Sequence, residues 1–200
     1  MSPVIPYTVR PMEARDVPAV AAIERLSFPA PWPISTFWYE LTANGTGFYF
    51  VLLRPTERPG GGRWKRWLAG MLGLPEETPV IGYVGFRLLN DAEAHITTLA
   101  VHPDWRGRGL GELLLLTALE SALARDPVRR VSLEARASNE IAQRLYRKYG
   151  FRFRRVMPGY YRDGEDAWLM EVEVRETAYR ERLAELRRKL EARLSAGRPT

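Results

Sequence analysis

The chain is expected to fold as one mixed α/β domain, and three features of its sequence say so. Stretches with a two-residue apolar period alternate with stretches of helical period as far as residue 174. Two hundred residues at 46% hydrophobic content can bury one real core and hardly two. Residues 95–116 run without a break through a strand, a glycine-rich turn and a strongly apolar helix.

Val4 to Arg10 has strand character, interrupted by Pro6. Asp16 is placed to cap a helix that carries Pro18 in its first turn and Val17, Val20, Ile23 and Leu26 at helical spacing. The three prolines of Phe28-Pro-Ala-Pro-Trp32-Pro forbid a helix there, and Ser35 is placed to cap a short second one. Gly47 to Leu53 reads as an aromatic strand. Arg54 opens a turn-rich insertion reaching residue 79, in which Trp64, Trp67, Leu68, Met71 and Leu72 keep helical spacing beside Arg63, Lys65 and Arg66. That segment reads as a helix on the sheet edge or as an interfacial, partner-binding helix.

Val80 to Leu88 is a strand, and Asn90-Asp91 signals a turn. Ile96, Thr98 and Ala100 then alternate with Thr97, Leu99 and Val101 on the next strand. The helix after it ends near Arg125-Asp-Pro127, and Val131, Leu133 and Ala135 share one face of a further strand. Ser138 or Asn139 caps a helix that runs through Tyr149 and closes on Gly150 in the left-handed position. Phe151–Val156 and Trp168–Val174 are the last strands, joined by a loop containing Tyr160 and Tyr161. Beyond Arg175, in the charged tail 175–200, Tyr179, Leu183, Leu186 and Leu190 form a seam too short for an unaided coiled coil. It either docks on its own domain or pairs two chains, which leaves a monomer or weak dimer as the expected state.

Composition excludes several functions. The chain has no cysteine, so disulfides, cysteine metal sites and a cysteine nucleophile are ruled out. His95 and His102 lack metal-site spacing and read as structural or surface residues, so no metal is expected. The first residues carry neither a basic start nor an apolar run, and no apolar segment approaches the length of a membrane span. The expectation is a cytoplasmic protein. Of the formal charge of +6, the segment 54–78 holds +2 and the segment 175–200 holds +4. An excess confined to a loop and a tail does not require a nucleic-acid role.

The turn after Val101 carries the first chemical signal. Gly107, Gly109 and Gly111 strip side chains from a turn that feeds a helix start, where unpaired N–H groups and the helix dipole favour an anion. It is not a Walker loop, which needs Gly-Lys-Ser/Thr where Leu110-Gly111-Glu112 stands. It is not a dinucleotide fingerprint either, because Glu112 occupies the place of the last glycine. What remains is Arg106-x-x-Gly109-x-Gly111, which resembles the pyrophosphate loop of GNAT-type N-acetyltransferases.

A second constellation sharpens that resemblance. Leu133-Glu134-x-Arg136-x-Ser138-Asn139, then Tyr146 and Tyr149-Gly150-Phe151, is similar to the RimI group of this family. So are the Gly159-Tyr160-Tyr161 loop and the Phe28…Pro31-Trp32 segment. The match covers most of Tyr7 to Val174, and the insertion and the tail depart from it.

The resemblance implies a strongly twisted mixed sheet with helices on both faces and a splayed central pair of parallel strands. It implies acetyl-CoA between those strands, with its pantetheine on backbone groups of Leu99, Ala100 and Val101. The diphosphate would rest on the backbone of Gly107, Arg108, Gly109, Leu110, Gly111 and Glu112, with charge from Arg106 and Arg108. Asn139 and Tyr146 would also touch the cofactor. The implied reaction is acetylation of a protein N-terminus, the N-terminal alanine of a small-subunit ribosomal protein.

The chemistry can be argued separately. An α-amine with a pKa of about 7.7–8.0 is partly neutral near pH 7. A weak base therefore suffices, and Glu134 fits, directly or through a water. Tyr146 fits the acid that protonates the leaving thiolate. Phe28, Trp32, Tyr160 and Tyr161 are candidates to line the acceptor channel. The alternatives are an acetyltransferase of small amines and a non-catalytic ribosome- or RNA-binding factor that uses the basic tail.

Overall fold

The computed structural model describes residues 5–55, 79–125 and 127–196. The expected Trp64–Leu72 helix lies outside them. Seven strands form one sheet in the order β1-β2-β3-β4-β5-β7-β6. They are β1 (Thr8–Pro11), β2 (Gly47–Leu53), β3 (Val80–Asn90), β4 (Glu93–Val101), β5 (Arg130–Arg136), β6 (Arg152–Met157) and β7 (Ala167–Glu173). The helices are α1 (Val17–Ser27), α2 (Ile34–Thr42), α3 (Leu110–Leu123), α4 (Glu140–Lys148) and α5 (Thr177–Ala196). Every strand pair is antiparallel except β4–β5.

Helices cover both faces, as the resemblance implies. One face buries Val17, Val20, Ile23 and Phe37 of α1 and α2 with Tyr49, Val51, Tyr83 and Ala100 of the sheet. The other buries α3, α4 and α5 against Val84, Phe86, Ile96, Val131, Leu133 and Met170. Leu113, Leu114, Leu115 and Leu116 are all buried although they point in every direction around α3. The sheet covers one side of them, and α5 contributes to the other through buried Leu183, Leu190 and Leu194.

The tail therefore docks on its own domain. Arg180 donates to the Leu123 carbonyl, Arg187 pairs with Glu120 and Arg193 pairs with Glu112. As numbers rise along α5 its partners fall along α3, so the two helices are antiparallel. Tyr179 and Arg182 donate to the carbonyls of Tyr149 and Lys148, tying α5 to the end of α4 as well.

Three local expectations need correcting. Asp16 stands at the N-cap of α1 but makes no side-chain cap bond. Its carboxylate instead takes both guanidinium nitrogens of Arg10, at 2.7 and 2.8 Å, and the Glu13 N–H. Ser35 lies inside α2, whose N-cap is Pro33. The simple alternation expected along β4 is broken, because Phe86 pairs with Ile96 while Gly85 pairs with Thr98. Thr97 is the extra residue of a bulge. Ile96 consequently joins Leu99 and Val101 on the α3 face, away from Ala100.

Candidate active site

The parallel ladder is short. Glu93 to Ile96 pair with Arg130 to Leu133, and pairing stops there. β4 continues with β3 to Val101, while β5 continues with β7 to Arg136. The two strands splay, and the β4 backbone from Thr97 to Val101 turns one edge into the gap. That edge includes Leu99, Ala100 and Val101.

At the far end of β4 the chain passes a single helical turn, Pro103–Trp105, and enters the glycine loop. Gly107 and Gly109 have φ of +75° and +80°, a backbone region that other residues reach only at a cost. Gly109 is the N-cap of α3, and its carbonyl accepts the Leu113 N–H. The N–H groups at the start of α3 have no carbonyl one turn earlier to reach, which suits them to an anion. Arg106 braces this loop from behind, with Nε on the Val101 carbonyl at 3.0 Å and a terminal nitrogen on the Ser27 hydroxyl at 3.0 Å. Arg108 stacks on Trp105 at 4.7 Å and donates to the Asp104 carbonyl. The Glu112 carboxylate turns aside to Lys148, Arg193 and the Tyr149 hydroxyl. These three hydrogen bonds outweigh its burial and hold its pKa below the usual carboxylate range.

Where the strands part, Glu134 Oε2 lies 2.9 Å from His95 Nε2. His95 Nδ1 lies 2.9 Å from the Ser132 hydroxyl. An ionised carboxylate only accepts, so the His95 Nε2–H donates to Glu134, and Nδ1 shares a second hydrogen bond with the Ser132 hydroxyl. The sequence reads His95 as a structural or surface residue, and its contact with Glu134 appears only in the fold. The parallel register that sets His95 opposite Ser132, with Glu134 two residues on, is invisible in either strand alone. His102 fulfils the structural expectation: its Nδ1 accepts the Asp104 N–H.

A cleft of about 340 Å³ opens beside this pair, lined by Arg87, Met157, Tyr160 and Leu169 among others. Burial and the nearby Glu134 carboxylate push the Tyr160 phenol up. Tyr146, buried on α4, packs its ring 5.8 Å from Phe151, and burial pushes its phenol to about 12. The Tyr161 hydroxyl is within electrostatic reach of Arg136, Tyr160, Tyr146 and Glu134. Of the predicted residues, Glu134 and Tyr160 line this cleft, and the Tyr161 ring packs edge-on against Tyr160 at 5.2 Å.

The loop that brings the two tyrosines in is clamped. Arg136 pairs with Asp163 and Glu165 and stacks on Tyr161 at 4.0 Å. Glu165 also accepts the N–H and hydroxyl of Ser138. Asn139 caps α4 by accepting the Ala142 N–H. Phe28 and Trp32 are half-buried against the α1–α2 cluster. The Trp32 ring is 5.7 Å from Phe37, and the Trp32 backbone N–H donates to buried Glu24, which also takes the Tyr83 hydroxyl.

A family model described as the Acetyltransferase (GNAT) family matches residues 17–151. The chain belongs to the GNAT acetyltransferase family. Among its relatives is a Bacillus subtilis protein provisionally named ribosomal protein bS18-alanine N-acetyltransferase. The two are 36% identical over 169 residues, which are 84% of this chain and 96% of the relative. The crystal structure of the ribosomal-protein-S18-alanine N-acetyltransferase of Escherichia coli superposes with a TM-score of 0.66 at 27% identity. That match covers 86% of this chain and 96% of the other. Arabidopsis thaliana NAA60 in complex with acetyl-CoA shares the fold, with a TM-score of 0.68 at 20% identity over 85% and 99% of the two chains. This GNAT protein is accordingly an N-acetyltransferase, and its splayed strands, glycine loop and Glu134 cleft are the features from which its specificity must be argued. No helix among the described residues is long and apolar enough to cross a membrane.

Proposed function

We propose that this acetyltransferase moves the acetyl group of acetyl-CoA onto the N-terminal α-amine of a protein, the N-terminal alanine of a small-subunit ribosomal protein being the first candidate. The observation that carries the reading is the Ser132–His95–Glu134 chain at the point where the strands part, with a cleft on its acceptor side. The names borne by the Bacillus subtilis and Escherichia coli proteins support the choice of acceptor.

The residues present fit acetyl-CoA. The N–H groups from Gly107 to Glu112 suit its diphosphate, the open edge of Leu99 to Val101 suits its amide-bearing arm, and Asn139 stands at the start of α4. When bound, it supplies an acyl group activated as a thioester. Glu134 accepts the proton of the attacking amine, and its hydrogen bond from His95 fixes the carboxylate toward the cleft. Tyr146 keeps its phenolic proton throughout the neutral range and holds it for a departing group. With no cysteine in the chain, a cysteinyl acyl-enzyme is excluded and attack within a ternary complex is the direct route.

The engagement of Arg180, Arg187 and Arg193 with α3 supports the catalytic reading over one in which the tail binds RNA. The deciding experiment supplies acetyl-CoA with an alanine-starting ribosomal peptide, or with a polyamine or aminoglycoside, and follows a gain of one acetyl group by mass spectrometry. Acetylation of the peptide α-amine is expected. Modification of only the small amines would overturn the proposed acceptor.

A further inference from the structure

The seam read from sequence stops at Leu190, but α5 continues to Ala196, and its last turns end at the glycine loop. A methyl group built on Gly109 would lie 3.1 Å from a terminal nitrogen of Arg193, 3.6 Å from its Nε and 3.4 Å from Leu190. The guanidinium therefore rests against the N-cap residue of α3. Its partner there is Glu112, in the first turn of the same helix.

This placement has an electrostatic consequence. A carboxylate in the first turn suits the helix dipole but repels a phosphate laid on the same N–H groups. Here Glu112 is held by Lys148 and the Tyr149 hydroxyl as well as by Arg193. Two cations on one carboxylate leave a net positive charge beside the loop. Arg193 is also the accessible member, its side chain 54% exposed while that of Glu112 is 8% exposed. It can turn from Glu112 to an arriving phosphate while Lys148 and Tyr149 keep Glu112 satisfied.

We propose that Arg193, delivered by the C-terminal helix, is a binding residue for the phosphate groups of coenzyme A. The tail is thereby part of the cofactor site as well as a cover for α3. The inference rests on the acetyl-CoA reading given above.

The test is calorimetric titration of coenzyme A and of its 3′-dephospho form into the full chain and two variants. Arg193→Gln is expected to weaken coenzyme A binding about tenfold, as loss of one charge-assisted contact implies. Arg187→Gln removes an equivalent ion pair between α5 and α3 at Glu120, away from the loop, and is expected to bind within about twofold of the parent. A loss in Arg193→Gln that persists with the dephospho form assigns the contact to the diphosphate. A loss that vanishes with it assigns the contact to the 3′-phosphate.

Unchanged or tighter binding by Arg193→Gln overturns the inference and leaves the acetyltransferase reading standing. An equal loss in Arg187→Gln also overturns it, because helix docking would then be the cause. No binding by the parent chain would instead strike the acetyl-CoA reading itself.

Discussion

Over Glu93–Ile96, β4 is locked to β5 in parallel register, whereas from Thr97 to Val101 it faces a gap. The locked half presents side chains, since His95, Ser132 and Glu134 reach one another only because the register holds them. The open half presents main chain, an edge of N–H and C=O groups that the ladder has released. Buried backbone groups need partners, so an open edge inside a sheet is tolerated where water or a ligand supplies them. On the proposed reading, proton transfer belongs to the rigid half and cofactor recognition to the open half. Changes to the two halves are expected to separate in kcat and KM.

The largest effect is expected at the end of the locked half, where the strands part. Glu134→Gln keeps the shape of the side chain and removes the base, and should lower kcat by roughly 10²–10⁴-fold. Tyr146→Phe should fall in the same range if its proton is the one delivered to the leaving group. Steady-state kinetics with the alanine peptide measures both, and KM for acetyl-CoA should change little for Glu134→Gln. Parent-level turnover in Glu134→Gln would remove the carboxylate from the reaction.

Features fixed by neighbours in sequence were legible before the fold was known. Gly150 closes α4 with φ of +88°, and Asn139 caps it. The glycine loop showed itself because its glycines, the strand before and the helix after are contiguous. Features set by a distant partner were not legible. Asp16 abandons its cap for Arg10, which offers two charged donors where the helix offers one N–H. The Thr97 bulge comes from the register with β3, and the His95–Glu134 contact from the register with β5. The docking of α5 was left open because an amphipathic seam states that it needs cover and not whose.

The open half is probed by the loop glycines, with a smaller effect expected. Gly109→Ala forces a side chain into a left-handed backbone, a strain of roughly 1–2 kcal/mol, and sets its methyl 3.1 Å from Arg193. Gly107→Ala carries the same kind of strain at φ of +75° with nothing within 4 Å of the added methyl. Both should raise KM for acetyl-CoA, by about tenfold for Gly109→Ala and less for Gly107→Ala, with kcat at saturation within a few-fold of the parent. A fall in kcat at unchanged KM would show that the loop does not hold the cofactor.

The smallest effect concerns the clamp on the Tyr160–Tyr161 loop. Glu165 has its pKa lowered to about 2, first by the Ser138 hydroxyl at 2.6 Å, then by the Ser138 N–H and by Arg136. In the unfolded chain a glutamate titrates near about 4.3. Between those values the folded protein binds fewer protons than the unfolded one, so the clamp stabilises fully above the upper value and is lost as pH falls toward the lower. The pair lies near the surface, so the gain is small and weakens with salt. The Ser138 amide resonance should therefore titrate with a midpoint near 2 and lose that transition in Glu165→Gln. The same variant should raise the peptide KM only a few-fold and leave kcat in place, because it loosens the wall of the cleft without touching Glu134. A midpoint near 4.3 in the parent chain would mean that Ser138 and Arg136 do not hold Glu165, and that the two tyrosines owe their position to ring packing alone.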